Sequence, residues 1–278
     1  MAMQNWKSFL MPYEQAVEEL KVKLKSIRKE YRKRNEYSPI EFVTGRVKEV
    51  SSLLEKANKF EIPLDRVGEE MEDIAGIRIM CQFVDDIDTV IELIRARRDM
   101  QILYEKDYVR NVKPSGYRSY HMIIKYTVYM AEGPKPILAE FQIRTLAMNF
   151  WATIEHSLNY KYKQHIPEEI QRKLKSAADS AFNLDEQMLE IKDEIKDAQK
   201  LFEVKSDIIT NIMSNIMTLM SLGKTGEASR YQIMLNKLIK DGEVFELNNL
   251  LQSIKRDIDR YCLLYTSDAT DEARSVDL

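Results

Sequence analysis

The chain has 278 residues, 44% of them hydrophobic, and its 42 Lys and Arg against 45 Asp and Glu give a net charge of −3. That length can bury a sizeable core in one or two domains, and that charge argues against a general nucleic-acid coat, leaving only local basic clusters to meet polyanions. Cys81 and Cys262 lie far apart without a Cys-x-x-Cys pair, so neither a disulfide framework nor a zinc cluster is indicated; with no signal peptide and no apolar run of eighteen residues, a cytoplasmic protein without a membrane span is expected.

Pro12 suits the first position of a helix, and Tyr13, Val17, Leu20, Leu24, Ile27 and Tyr31 follow at helical spacing as a buried stripe. The same helix carries Lys21, Lys25, Arg28 and Arg32 as a cationic ridge, with Glu30 the single acid between Lys21 and Arg34. Such a ridge is either a solvated face or a polyanion site. Ser38-Pro39 ends the helix, and Ile40 to Lys48 reads as an extended segment interrupted at Gly45. Arg46 and Lys48 then point the same way. From about Val50 a second helix sets Ser52, Lys56 and Lys59 on one face, so Arg46, Lys48, Ser52 and Lys56 are candidates to converge on one polyphosphate, surface charge being the other reading.

Asp73 to Phe83 reads as a strand with Ile77, Ile79, Cys81 and Phe83 on one face and Arg78, Met80 and Gln82 on the other. Asp73 stands at its entrance, free either to ligate magnesium or to cap. Asp85 is the expected cap of the next helix, whose stripe is Ile87, Val90, Ile91 and Ile94. A strand near Met100 to Tyr104 leads into Lys113-Pro114-Ser115-Gly116-Tyr117-Arg118-Ser119-Tyr120-His121, a turn that delivers cations, two aromatics and a histidine within nine residues. In the strand Tyr120 to Tyr129 that follows, His121 opens the polar-side face. A ring and cations in such a loop suit a flat, phosphorylated ligand; an ordinary charged hairpin loop is the plain alternative.

After a hairpin at Glu132-Gly133-Pro134, Ile137 to Arg144 alternates again: Ile137, Ala139, Phe141 and Ile143 on one face, Leu138, Glu140, Gln142 and Arg144 on the other. Three successive polar positions on one face suggest the floor of a wet cleft, near His121 if the two strands pair. Thr145 caps a helix on which Asn149, His156 and Tyr160 share a face with Ala152 and Thr153, while Phe150, Trp151 and Ile154 are expected to anchor it in the core.

From Pro167 a sustained heptad pattern, Ile170, Leu174, Ala177, Ala181, Leu184, Met188, Ile191, Ile195, Ala198 and Phe202, predicts a long packing helix and an oligomer contact. Residues 206–222, 227–240 and 243–261 read as further helices, and 262–278, without periodicity, as a disordered tail or a cloning scar. No glycine set matches a dinucleotide fingerprint. Gly223-Lys224-Thr225 ends like a P-loop, but Thr218 stands where the upstream glycine belongs, so it reads as a turn. The histidines are His121, His156 and His165, none followed by Asp, which argues against a histidine-rich metal hydrolase.

Four ordered blocks, residues 40–48 (Ile-Glu-Phe-Val-Thr-Gly-Arg-Val-Lys), 73–78 (Asp-Ile-Ala-Gly-Ile-Arg), 115–121 (Ser-Gly-Tyr-Arg-Ser-Tyr-His) and 140–145 (Glu-Phe-Gln-Ile-Arg-Thr) on through Trp151 to His156, resemble the RelA/SpoT-type alarmone synthetase domain, most closely the small synthetases of the RelQ type. The match runs from about Tyr13 to Lys205. It implies an α+β fold, a mixed-sheet, nucleotidyltransferase-like synthetase domain flanked by helices over 1–205; the helical extension over 206–261 and the tail 262–278 are read from the sequence pattern alone, lie beyond the resemblance and take no role from it. It implies a GTP pyrophosphokinase that moves pyrophosphate from ATP to the 3′-OH of GDP or GTP, giving AMP and ppGpp or pppGpp, with no hydrolase activity. By the resemblance, Arg46 and Arg78 sandwich adenine, and Arg46, Lys48, Ser52 and Lys56 hold the ATP phosphates. Asp73 and Glu140 bind Mg²⁺, and Glu140 also activates the 3′-OH. Tyr117 stacks on guanine, Lys113 and His121 meet the acceptor phosphates, and Gln142, Asn149 and His156 complete that pocket. Similar synthetases are homotetramers whose central cleft takes (p)ppGpp as activator, at positions matching Lys21, Lys25, Arg28, Glu41, Phe42, Thr44 and Asn149. Single-stranded RNA is a further candidate partner, and the competing reading is a catalytically idle nucleotide- or RNA-binding regulator on the same fold.

Overall fold

Five alternating segments assemble into one mixed sheet in the order β1-β2-β5-β4-β3, comprising β1 (Phe42–Val47), β2 (Ala75–Cys81), β3 (Gln101–Asp107), β4 (Tyr120–Met130) and β5 (Gly133–Thr145). The computed structural model describes residues 5–161 and 167–274. The expected place of Tyr160 rests on a side chain outside the described residues, and His165 also lies outside them. Only β2 and β5 run parallel; the other neighbours are antiparallel, and β4 and β5 form the hairpin expected at 132–134.

The apolar face of the sheet is covered by α1 (Trp6–Lys33) and α4 (Val84–Arg95). Tyr13, Val17, Leu20 and Leu24 from α1 and Ile87, Val90, Ile91 and Ile94 from α4 join Ile77, Ile79, Met122, Ile124, Ala139, Phe141 and Ile143 in one buried cluster. Each Val, Leu, Ile, Phe or Met side chain among them contributes about 1.5–3 kcal/mol by leaving water. The remaining elements of this part are α2 (Val50–Lys59), the short α3 (Val67–Glu70) and α5 (Leu146–Lys161). Thr145 caps α5 as expected, its Oγ1 accepting the Met148 amide at 3.1 Å.

Several local expectations change. Trp6, not Pro12, opens α1: Asn5 accepts the Ser8 amide at the N-terminus, and Pro12 lies in the second turn. Gly45 does not interrupt β1. A Cβ there would come within 2.8 Å of both Ile77 Cδ1 and Val17 Cγ1, so the glycine is what lets α1 close on the sheet. Asp86 rather than Asp85 takes the Phe83 amide at the start of α4, at 3.0 Å. Phe150 and Ile154 are exposed, at 69% and 44%, and Trp151 alone of the three anchors α5, donating its indole N–H to the Leu174 carbonyl at 2.8 Å.

The helix expected from Pro167 is α6 (Glu168–Ser221), 54 residues in one run, followed by α7 (Thr225–Asp241) and α8 (Val244–Arg274). No break occurs at 205/206 because Val204-Lys205-Ser206-Asp207 contains neither Gly nor Pro to interrupt the backbone ladder. The chain divides into two compact units between Ile191 and Lys192. In the second, Ile208, Ile212, Ile216, Tyr231, Leu235, Leu247, Leu250 and Ile254 form a core of their own. Helical backbone also runs to Arg274, over part of the stretch read as an irregular tail; a helix needs no apolar stripe where its residues tolerate helical backbone.

Candidate active site

The register of the sheet builds the site. Thr44, Arg78, Gln142, His121 and Lys106 are successive partners across β1, β2, β5, β4 and β3; two residues along, Arg46, Gly76, Glu140, Ile123 and Tyr104 form the next row. Since side chains alternate between faces, both rows stand opposite the face covered by α1 and α4. A cleft of about 350 Å³ opens on them, lined by Arg46, Asp73, Arg78, Glu140 and Gln142 with Thr44, Gly45 and Gly76. Gly76 puts no side chain between Arg46 and Glu140.

At one end, Asp73 bridges two ammonium groups, Lys48 Nζ at 2.6 Å and Lys56 Nζ at 2.9 Å. Burial alone would raise the Asp73 pKa, but the two lysines outweigh it and hold the carboxyl below its ordinary value. Ser52 is half-buried one helical turn before Lys56 on α2. Arg78 has its pKa lowered by burial and by the like charges of Arg46 and Arg144, so this end is dense in cations. His156 on α5 is likewise shifted down by burial and by Arg46 and Arg78, which puts it in the field of the same arginines.

At the other end, an aromatic and cationic cluster stands on the loop 113–121. Gly116 adopts φ +90°, and a Cβ there would meet the Ala178 Cβ of α6 at 2.5 Å, so both backbone and packing require glycine. Lys113 Nζ sits 4.3 Å over the Tyr108 ring and 5.0 Å from the Tyr117 ring centroid, and His121 packs edge-on to Tyr108 at 5.3 Å. Tyr117 is half-buried, and burial raises its pKa.

Between these ends lies Glu140, 14% exposed at its side chain. Its Oε1 is 2.8 Å from His121 Nδ1, and its Oε2 accepts the Gln142 amide at 2.7 Å. Burial would raise its pKa, yet His121 and Gln142 bring it below the ordinary glutamate value. His121 Nε2 is 2.7 Å from Tyr117 Oη, which also accepts from Arg144 Nη2 at 2.5 Å; the same Arg144 nitrogen donates to Gln142 Oε1 at 2.8 Å.

Among the described residues no three His, Cys, Asp or Glu side chains converge as a self-sufficient metal site. Asp73 and Glu140 line the same cleft, however, and the Asp73 charge is felt at Glu140. Two hard carboxylates open to a cleft fit Mg²⁺, which keeps waters and takes its other oxygens from phosphates.

The other candidate residues divide. Asn149, in the first turn of α5, has a buried Oδ1 without a hydrogen-bond partner. Lys25, Arg28 and Phe42 line a separate groove of about 270 Å³ with Lys29, Arg32, Ile40 and Val43. Glu41 joins them through its 2.7 Å ion pair with Arg28, whereas Lys21 pairs with Glu18 at 2.7 Å and Thr44 faces the cleft already described. The sequence puts Arg144 on the polar face and Ser119 in the 113–121 turn without pointing to a role for either, and does not single out Tyr108. The alternation of β5 was the available signal for Arg144; for Tyr108, in a turn, there was none.

Paired carboxylates, a bank of cations on one side and an aromatic shelf on the other define an enzyme that transfers phosphoryl groups between nucleotides. Residues 45–165 match the model of the region found in RelA/SpoT proteins. The GTP pyrophosphokinase YjbM of Bacillus subtilis (strain 168) is 56% identical over 201 residues, 72% of this chain and 95% of that protein, and YwaC of the same strain is 40% identical over 195 residues, 69% and 93%. Small alarmone synthetase 1 from Bacillus subtilis bound to its product pppGpp superposes with a TM-score of 0.67 at 56% identity, covering 69% of this chain and 99% of that one; the same synthetase bound to AMPCPP gives 0.62 at 52%, covering 70% and 100%. The chain belongs to the RelA/SpoT family, as a GTP pyrophosphokinase of the small alarmone synthetase kind. No described helix is long and apolar enough to cross a membrane.

Proposed function

We propose that the cleft binds ATP at its Arg46, Arg78, Lys48, Ser52 and Lys56 end and GDP or GTP at its Lys113, Tyr117 and His121 end, with Gln142, Asn149 and His156 completing the acceptor pocket. The observation that carries this reading is the place of Glu140 in the cleft between a bank of cations and an aromatic cluster. Arg46 and Arg78 offer planar guanidinium faces to adenine, and the lysines offer charge to the phosphates. Tyr117 and Lys113 offer a stacking ring and a cation to a guanosine nucleotide. Mg²⁺ held by Asp73 and Glu140 would neutralise charge on the transferring phosphates. Glu140, ionised at neutral pH, accepts the proton of the acceptor 3′-OH as its oxygen attacks the β-phosphorus of ATP and AMP departs. The protein's part is otherwise positioning and electrostatics.

Incubation with Mg²⁺, ATP and GDP, followed by anion-exchange separation, tests the reading: AMP and ppGpp in equal amounts support it. ATP consumption without a guanosine product, or no reaction, overturns it.

The exposed apolar side chains Phe150, Ile154, Leu184, Met188 and Ile191 of α5 and α6 support a homotetramer, since they need cover. The Lys25, Arg28 and Phe42 groove supports (p)ppGpp binding at a regulatory site, and its cations are also where single-stranded RNA would dock. Intracellular nucleotides as substrates suit a cytoplasmic location.

A further inference from the structure

We infer that Lys113 is a specificity-determining residue: its ammonium holds the place beside Tyr117 that a guanine ring must take, and only an acceptor that carries phosphates repays its displacement. The inference rests on the reading above that guanine stacks on Tyr117. It adds how that site refuses the unphosphorylated nucleoside.

The backbone of the loop puts the cation there. The Gly116 amide donates to the Lys113 carbonyl at 2.8 Å and the Lys113 amide to the Tyr117 carbonyl at 3.3 Å, so Lys113 and Tyr117 face each other across a tight turn. Lys113 Nζ lies 4.3 Å from the centroid of the Tyr108 ring and 5.0 Å from that of Tyr117, and the two centroids are 6.2 Å apart. These distances set the ammonium in the notch between the rings. Among the described residues none forms an ion pair with it, so the two rings are its closest protein partners.

The rest of Tyr117 is already engaged. It packs against the cluster of Trp151, Ala152 and Ala178, its hydroxyl lies between His121 and Arg144 at 2.7 and 2.5 Å, and the His121 ring stands edge-on to it at 5.8 Å. What remains for a base is the side toward Tyr108. Interacting aromatic rings place their centroids about 4.5–7 Å apart, a range that includes the ammonium's own 5.0 Å, so base and ammonium claim the same volume. Entry of guanosine therefore trades the cation–ring contact for a base–ring contact and returns the ammonium to water. Entry of GDP gives the displaced ammonium a diphosphate, and that charge-assisted contact is stronger than the one it leaves. The four-carbon stem lets Lys113 make this exchange without backbone movement. One side chain thus penalises the nucleoside and rewards the nucleotide, which separates the two by more than a phosphate contact alone.

The test measures binding of guanosine and of GDP with Mg²⁺, without ATP, to the full chain and to its Lys113→Ala variant. Lys113 is exposed in the loop, so the substitution leaves the core untouched. Lys113→Ala is expected to bind guanosine about threefold more tightly and GDP about tenfold more weakly, two effects of opposite sign. Unchanged guanosine affinity is the mark of a plain phosphate contact, and weakened affinity that of a residue that shapes the loop. Either result, or guanosine binding undetectable in both proteins, overturns the inference. A second measurement sees the ammonium's place directly. With ¹³C-labelled lysines, the Lys113 ε-methylene signal, assigned from its loss in Lys113→Ala, should be displaced upfield by the ring currents before nucleotide is added. GDP should return it to the ordinary lysine position, and ATP alone should not. A signal that is undisplaced without nucleotide, or that GDP leaves displaced, counts equally against the inference. A wild type that binds no GDP refutes the acceptor reading itself and the inference with it, whereas GDP binding beside a failed guanosine test removes the role of Lys113 alone.

Discussion

The Thr145 hydroxyl donates to Asp185 Oδ2 at 2.6 Å while its oxygen accepts the Met148 amide at 3.1 Å, so one side chain caps α5 and ties it to α6. Asp185 is 5% exposed, and burial pushes its carboxyl up to about 6 from 3.8, against the Thr145 bond, which lowers it. The folded protein thus holds this proton more tightly than the unfolded chain, and the Asp185 contribution to stability falls as pH rises from about 4 through about 6. Asp185→Asn keeps an acceptor for Thr145 without the charge. It should stabilise the protein by about 3 kcal/mol at pH 7 and by nothing measurable below about pH 4, as read by chemical denaturation at the two pH values. Equal effects at both would refute the assignment.

Glu140→Gln removes the proton acceptor and one carboxylate while keeping shape. A fall in kcat of about 10²–10⁴-fold is expected, with the thermal transition and ATP binding little changed. Synthesis at the wild-type rate would remove Glu140 from the mechanism.

Tyr117→Ala should act on one nucleotide only. Loss of a stacking platform is worth about 1–3 kcal/mol, so KM for GDP should rise roughly tenfold to a hundredfold while KM for ATP stays close to wild type. Equal rises for both nucleotides would mean that guanine does not sit on this ring.

The groove between α1 and β1 yields a binding prediction. If Lys25 and Arg28 meet a polyphosphate there, Lys25→Ala should weaken pppGpp binding at the regulatory site about tenfold in calorimetry, the size of one charge-assisted contact. Light scattering on the same samples should give the mass of four 32.7 kDa chains. A single-chain mass, or a groove that ignores the substitution, counts against the regulatory reading.

Much of the site could be read from alternation. Strand period two put Glu140, Gln142 and Arg144 on one face of β5 and His121 on the matching face of β4, because a pleated backbone sends successive side chains to opposite sides whatever they later pack against. The Thr145 cap was equally local, a hydroxyl reaching an amide three residues on. Other features depended on partners distant in sequence. Arg28 on the cationic ridge of α1 looked unpaired because its partner Glu41 comes from beyond the end of the helix. Phe150 and Ile154 have the composition of a core but face outward, since helical period alone does not say which side a neighbour covers. The sequence by itself determined which residues share a face. Only the tertiary structure decided the strand order β1-β2-β5-β4-β3, which brings Arg46 and Glu140 to one cleft with His121 against Glu140, and the hydrogen bond from Arg144 to Tyr117, since side chains 27 positions apart meet only once the strand register is set.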